Sequence, residues 1–257
     1  MEFPQSFFID IDKFFKCGII KTGGDSMKKL NWKRIIGIFV LVTLFFSIIY
    51  SVYQVIVTPE VAIIEGEKVK SDYLLMLIQC CLGMLVFWLP SVLEKRLSFD
   101  MPNYMEIAYF IFLYCAIYLG EVHDFYYLIP RWDNILHCFS GAMLGAFGFS
   151  LVKILNDSEK VHVVLSPVFI ALFAFCFAVT VGAMWEIYEF MGDSLFGLNM
   201  QKFKLADGTL LVGAEALKDT MHDIIIDSIG AFVVSLSGLI SMLGSEKYKE
   251  YKNNRKK

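Results

Sequence analysis

Six stretches of this chain are long and apolar enough to cross a bilayer, and they constrain every other reading. A transmembrane helix needs about 20 mostly apolar residues. The pattern predicts spans over roughly Ile35–Val57, Tyr73–Leu89, Tyr104–Leu119, Trp132–Leu155, Val163–Phe190 and Asp219–Leu243. The third is short, with Glu106 near its start. The fifth is longer than a bilayer requires, so its last turns are expected to emerge. None shows the alternation of a membrane β-barrel strand, and no internal repeat is visible. The expected fold class is therefore all-α, a polytopic membrane helix bundle with about six transmembrane helices.

Composition agrees. Hydrophobic residues make up 57% of the 257 and charged residues 19%, against roughly 25% charged in soluble domains. The mean hydropathy is +0.59. Such apolar content excludes disorder and collagen, and six cysteines are too few for a disulfide scaffold. A net charge of −3 without a basic stripe argues against a nucleic-acid partner. Cys80, Cys81, Cys115, Cys138 and Cys176 lie in the expected spans, where cysteine behaves as a small hydrophobe. No C-x-x-C pair suggests a zinc site.

Basic residues orient the spans. With the N-terminus in the cytoplasm, only Lys68, Lys70, Arg131, Lys202, Lys204 and Lys218 fall outside, leaving 17 of the 23 Lys and Arg inside. The expected arrangement has both termini cytoplasmic, and so an even number of spans. Three regions follow: an N-terminal segment 1–34, a membrane domain 35–243 and a basic tail 244–257, read as a topology anchor near anionic lipid. The run Met27-Lys28-Lys29-Leu30-Asn31-Trp32-Lys33-Arg34 reads as a normal lead into a first membrane helix, which makes Met27 a candidate initiator. A short amphipathic surface segment around Phe7–Phe15 is the competing reading. The first span is too long for a signal peptide and lacks a cleavage site, so it is read as an uncleaved anchor.

The polar residues collect at one face. Span four begins there with Asp133 and His137. Span five ends there with Glu186, Glu189 and Asp193. Span six begins there with Asp219, His222, Asp223 and Asp227. Asp133 and His137 are one helical turn and about 40° apart, so both address one partner. Glu186, Glu189 and Asp193 form one acidic stripe, and Asp219, Asp223 and Asp227 a second, with Asp227 about 12 Å deeper than Asp219. Helix-interior acids in apolar runs usually mark function. Asp133 and Asp219 equally suit helix caps, and Glu121, His123 and Asp124 read as solvated loop residues. His222 lies about 60° off its stripe. The nearby cations are Arg131, Lys218 and the histidines, a deficit that favours a bound metal or protonated carboxyls.

Small residues supply close-packing faces: Gly141-x-x-x-Gly145 with Ala142, Ala146 and Gly148, then Gly182-Ala183 and Gly230-Ala231. They would bring spans four, five and six together. The loop from about Gly192 to Lys218 carries an Asp207-Gly208 turn between apolar flanks, a short hairpin signal. That loop either covers the site or merely connects two spans.

Three blocks carry a resemblance: Arg131-Trp132-Asp133-Asn134-Ile135-Leu136-His137, Gly182-Ala183-Met184-Trp185-Glu186-Ile187-Tyr188-Glu189-Phe190, and Asp219-Thr220-Met221-His222-Asp223-Ile224-Ile225-Ile226-Asp227-Ser228-Ile229-Gly230-Ala231. In this order they resemble the YjdF-type family of bacterial inner-membrane proteins, over spans three to six. The first block also resembles VanZ-like proteins more faintly. The resemblance implies inner-membrane placement and importance for these blocks. It implies no reaction.

Three functional readings stand side by side. The first is a metal-dependent enzyme at the outer leaflet acting on a lipid-linked substrate. Asp133, Glu186, Glu189, Asp219 and Asp223 are then the candidate ligands for a divalent ion, Mg²⁺, Mn²⁺ or Zn²⁺. His137, as ligand or general base, and Asp227 are the candidate catalytic residues. The second is an ion-coupled carrier using the intramembrane acids. The third is an accessory or structural protein whose polar cluster fixes helix packing. The lipid bilayer is a partner in all three. Substrate, reaction and oligomeric state lie beyond the sequence.

Overall fold

The computed structural model describes residues 31–60, 67–97, 101–157, 165–205 and 208–254. Six helical spans cross it, each long and apolar enough for a membrane. Span one is α1, Trp32–Val57. Span two joins α2, Lys70–Val86, to α3, Leu89–Leu97. Span three is α4, Asn103–Leu113, running on into a π-helical segment, Tyr114–Val122. After the short α5, Phe125–Leu128, come span four (α6, Trp132–Asp157), span five (α7, Pro167–Phe196) and span six (α8, Ala214–Asn254). Most of the expected 1–34 segment, including Met27 and Phe7–Phe15, lies outside the described residues.

Local chemistry explains where these helices stop and bend. Pro90 cannot donate to the carbonyl four residues back, so span two breaks after Val86. The freed Val86 carbonyl accepts a hydrogen bond from the Tyr109 hydroxyl at 2.6 Å. In hydrocarbon such a rescue is needed, because no water is at hand. Span three does not stop at Leu119. Its wide π turns, closed by His123 N donating to the Tyr118 carbonyl at 3.1 Å, carry it on through Glu121. The Cys115 carbonyl in this segment accepts from the Trp132 indole at 3.3 Å. Span five starts at Pro167 with Ser166 as its cap, accepting from Phe169 N, because proline at the first helical position lacks only an N–H that is unpaired anyway. It ends where Gly197 turns left-handed, φ +65°.

The spans form two bundles of three. In the first, Val40 and Leu44 of span one pack with Met76, Cys80, Phe87, Phe110, Leu113 and Ile117 of spans two and three. Its far end is tied by an ion pair between Lys33 and the buried Glu106. In the second, Phe149, Val152, Ile170, Ala174 and Met242 join spans four, five and six. The bundles meet chiefly where span three lies against span four. Phe45, Phe46, Ile49 and Ile56 point outward, as lipid-facing residues must.

Close packing in the second bundle depends on missing side chains. A Cβ at Gly141 would strike the Asp227 backbone carbonyl, and one at Gly230 would strike the Cys138 carbonyl. Spans four and six therefore touch backbone to backbone, as small residues permit where lipid offers no hydrophobic drive to association. A Cβ at Gly182 of span five would sit 2.6 Å from Asp227 Oδ2. The three spans thus converge on one side chain.

Candidate functional site

That side chain, Asp227, is 2% exposed and held from two directions by span four. The Ser140 hydroxyl is 2.7 Å from Oδ1, and His137 Nδ1 is 3.1 Å from Oδ2. Asp227 therefore fixes the imidazole and turns the other ring nitrogen, Nε2, into the bundle. Three acids converge on Nε2 from three spans. Asp133 Oδ1 and Asp223 Oδ2 each lie at 3.7 Å and Glu186 Oε1 at 4.0 Å. These separations are too long for hydrogen bonds. The three carboxylates thus gather around one ring nitrogen without bonding to it.

Glu186 makes the same point independently. It is 3% exposed, and neither carboxylate oxygen has a hydrogen-bond partner. Donor atoms of Asp133, His137 and Asp223 lie within 4.8 Å of one another, so these residues form a group able to hold a metal ion. Metal–ligand bonds of about 2.1 Å place tetrahedral donors roughly 3.4 Å apart, close to the spacing around Nε2. One imidazole and two carboxylates suit Mn²⁺ or Zn²⁺ better than Mg²⁺, which prefers oxygen alone.

The other candidate residues separate from this centre. Glu189 turns along its own helix to accept from the Trp185 indole at 2.9 Å. Asp193 accepts from Met200 N at 2.7 Å and Gln201 N at 3.0 Å, and so clasps the loop between spans five and six. The first acidic stripe thus divides among three tasks. Asp219 sits one turn above Asp223 and faces Lys202, 3.9 Å away. His222, Arg131 and Lys218 are exposed.

Lys202 is the cation of the site, in place of Arg131 or Lys218. It pairs with Asp133 and lies over the Tyr126 ring at 5.0 Å. Its backbone is left-handed, φ +49°. Burial pushes its ammonium below the usual lysine value, against the pull of Asp219, Asp223 and Glu121. The loop that carries it covers the site. Leu198 and Met200 pack on Leu75 of span two, Asn199 bonds Lys204 through both its amide atoms, and Lys204 bridges to Leu210 across the turn. Asp207 of that turn lies outside the described residues.

Two further side chains escape a reading by sequence. Ser140 is three residues past His137, on the same helical face, and that spacing was the available signal. Glu121 belongs to the last π turn of span three and lines the cavity beside the site. It is half-buried, in contrast to the solvated loop expected. Asp124 pairs with Lys68, and His123 is exposed.

Fold and site together define a multi-pass helical membrane protein with a buried acid–histidine centre at one end of its bundle. The chain belongs to the family described as "Predicted membrane protein (DUF2238)", which matches residues 32–243. One relative is an uncharacterised protein of Thermotoga maritima, 28% identical over 159 residues, covering 60% of this chain and 73% of that protein. No solved structure matches the chain.

Proposed function

We propose that this protein is a metal-dependent hydrolase acting on a lipid-linked phosphate. The observation that carries the reading is the buried Glu186, whose carboxylate has no hydrogen-bond partner and lies 4.0 Å from His137 Nε2, the atom that Asp133 and Asp223 also approach. A buried carboxylate without partners costs several kcal/mol, and a divalent ion offsets that cost. Asp133, His137, Glu186 and Asp223 would hold the ion. Such an ion polarises a phosphoryl oxygen and activates water.

The chain's own residues supply the rest. Asp227 and Ser140 fix the imidazole, so that Nε2 is presented and Nδ1 is engaged. Lys202 offers the positive charge that an anionic head group needs against so many acids. Water attacks phosphorus, the P–O bond to the lipid-linked group breaks, and the leaving oxygen takes a proton. Proteoliposomes loaded with a lipid diphosphate test this. Inorganic phosphate should appear when Mn²⁺ or Zn²⁺ is supplied, and both a chelator and Glu186→Gln should abolish it. A fully metallated wild type that releases no phosphate would overturn the hydrolytic reading.

Asp227 is a positioning residue in this scheme. Asp227→Asn should keep the fold yet weaken metal affinity about 10–100-fold, the usual cost of losing an outer partner of a metal-bound histidine. A metal titration of the detergent-purified variant reads the change. The same hydrogen bonds weigh against the carrier reading, because a carrier needs its deep acid free to exchange.

The setting belongs to the same proposal: a bacterial inner membrane, both termini cytoplasmic, and the site at the outer face. The distribution of Lys and Arg supports it, and so does the YjdF-type resemblance of the site-bearing blocks. A reporter fused after Lys257 should read as cytoplasmic; a periplasmic signal would reverse the orientation.

A further inference from the structure

Asp133 and His137 of the metal group border a much larger space. A cavity of about 450 Å³ begins at Asp133, His137 and Lys202 and continues between the two bundles, a size typical of small-molecule sites. Away from the polar end its walls are apolar. Leu75, Gly83 and Val86 of span two line it along one face of the helix. Leu113, Ala116 and Ile117 of span three continue that wall, and Met143, Leu144 and Val181 of spans four and five line it from the other bundle.

Two features say how it is reached. Spans two and five both line the cavity but do not pack tightly on one another. Leu89 and Met184, which line it from those two spans, are also exposed on the bundle surface, Met184 by 63%. At the site end the gap is covered, because Leu198 and Met200 lie on Leu75 with Ile78 and Tyr188 beside them. The opening therefore faces the bilayer between spans two and five, with protein over its polar end.

We propose that this cleft is a binding site for the hydrocarbon chain of an amphiphile that enters sideways from the membrane between spans two and five. Its phosphate head then lies against Lys202 and the acid–histidine group. The occupant is a membrane-resident alkyl or isoprenyl phosphate. A soluble phosphate ester would have no use for the apolar walls and would meet the covering loop. The choice of head rests on the metal reading above, whereas the chain site rests on the cavity alone.

The full-length protein in nanodiscs tests this with a long-chain alkyl phosphate bearing a diazirine at its methyl end. Irradiation should attach it to Val86, Leu113 or Ile117. Adducts confined to the lipid-facing Phe45 and Ile49 would overturn the proposal. Unlabelled alkyl phosphate should compete at least about tenfold better than the matching alkyl alcohol, the scale of one lost hydrogen bond to a charged group; equal competition would sink the assigned head group. Ala116→Trp should fill the cleft and cut labelling by roughly tenfold or more while metal content stays at the wild-type level. Undiminished labelling in a folded Ala116→Trp protein would also refute the site. The mapped positions in wild type decide the matter even if that variant does not fold. Wild type without metal but with cleft adducts would defeat the metal reading and leave the chain site standing. Bound metal with no cleft adducts would do the reverse.

Discussion

Glu186→Gln and Asp223→Asn are each expected to strip the protein of a bound divalent ion. Wild type, purified in detergent without chelators, should carry one ion per chain by elemental analysis. Changes to outer partners of a metal site already cost about 10–100-fold in affinity. Loss of a carboxylate that converges on His137 Nε2 should cost more, roughly 100-fold or above. Melting experiments give a second readout. An ion present at a hundred times its dissociation constant stabilises the folded state by about 2.7 kcal/mol, so a chelator should lower the melting temperature of wild type. It should leave Glu186→Gln unchanged. In chelator the variant should even melt above wild type, because glutamine removes a buried charge that has no hydrogen-bond partner. Metal-free, well-folded wild type with a melting curve indifferent to chelators would remove the enzyme reading. The cluster would then be a structural polar network.

Gly141→Val should do the greatest damage to the fold. A Cβ there meets the Asp227 backbone carbonyl, and backbone cannot rotate away as a side chain can. Overpacking of this kind costs about 1–3 kcal/mol and occasionally more. The upper part of that range is expected, because span six must retreat along its whole contact with span four. Retreat also draws Asp227 from His137 and Ser140, so metal binding should fail together with stability. Gly145→Ala is the control. Its Cβ would meet the Ala231 carbonyl at 3.5 Å, an ordinary contact, and it should melt within about 1 kcal/mol of wild type. Thermal unfolding in detergent distinguishes the two. A Gly141→Val protein as stable as Gly145→Ala would show that spans four and six do not approach as described.

Asp133, His137, Glu186, Asp223 and Asp227 were legible as candidates because polar groups inside apolar runs are costly and stand out against them. Their one-turn spacings placed Asp133 with His137, and Asp223 with Asp227, on shared faces. Glu189 was legible in the same way, yet the structure sets it apart from Glu186. The two are three residues apart, about 60° around the helix, enough for one to approach His137 Nε2 while the other bonds Trp185 on the cavity wall. A stripe on a helical wheel shows direction and leaves open what stands opposite.

Lys202 shows the limit most plainly. It lies between spans, in a loop without hydropathy periodicity, and nothing within a few residues announces it. It reaches the site because Asp193 clasps Met200 and Gln201, because Gln201 bonds Thr220, and because a left-handed turn aims the lysine inward. The Asp193 contacts span seven and eight residues and the Gln201–Thr220 bond nineteen, all beyond the reach of a hydropathy pattern. The π-helical end of span three, which brings Glu121 to the cavity, depends likewise on partners such as Trp132.

Although the helices of spans two, five and six run on to Leu97, Phe196 and Asn254, hydropathy sufficed for the class of fold, the number and order of the six spans, and the acids and histidine worth watching. All of these follow from hydropathy and helical period, which are local and repeat along the chain. Which acids meet around His137 Nε2, which cation joins them, and that a cavity between two bundles borders them came from the packing of the spans. Those outcomes depend on how closely backbones approach and on which loops fold back, and such distances are set between spans, where one helix's periodicity carries no information.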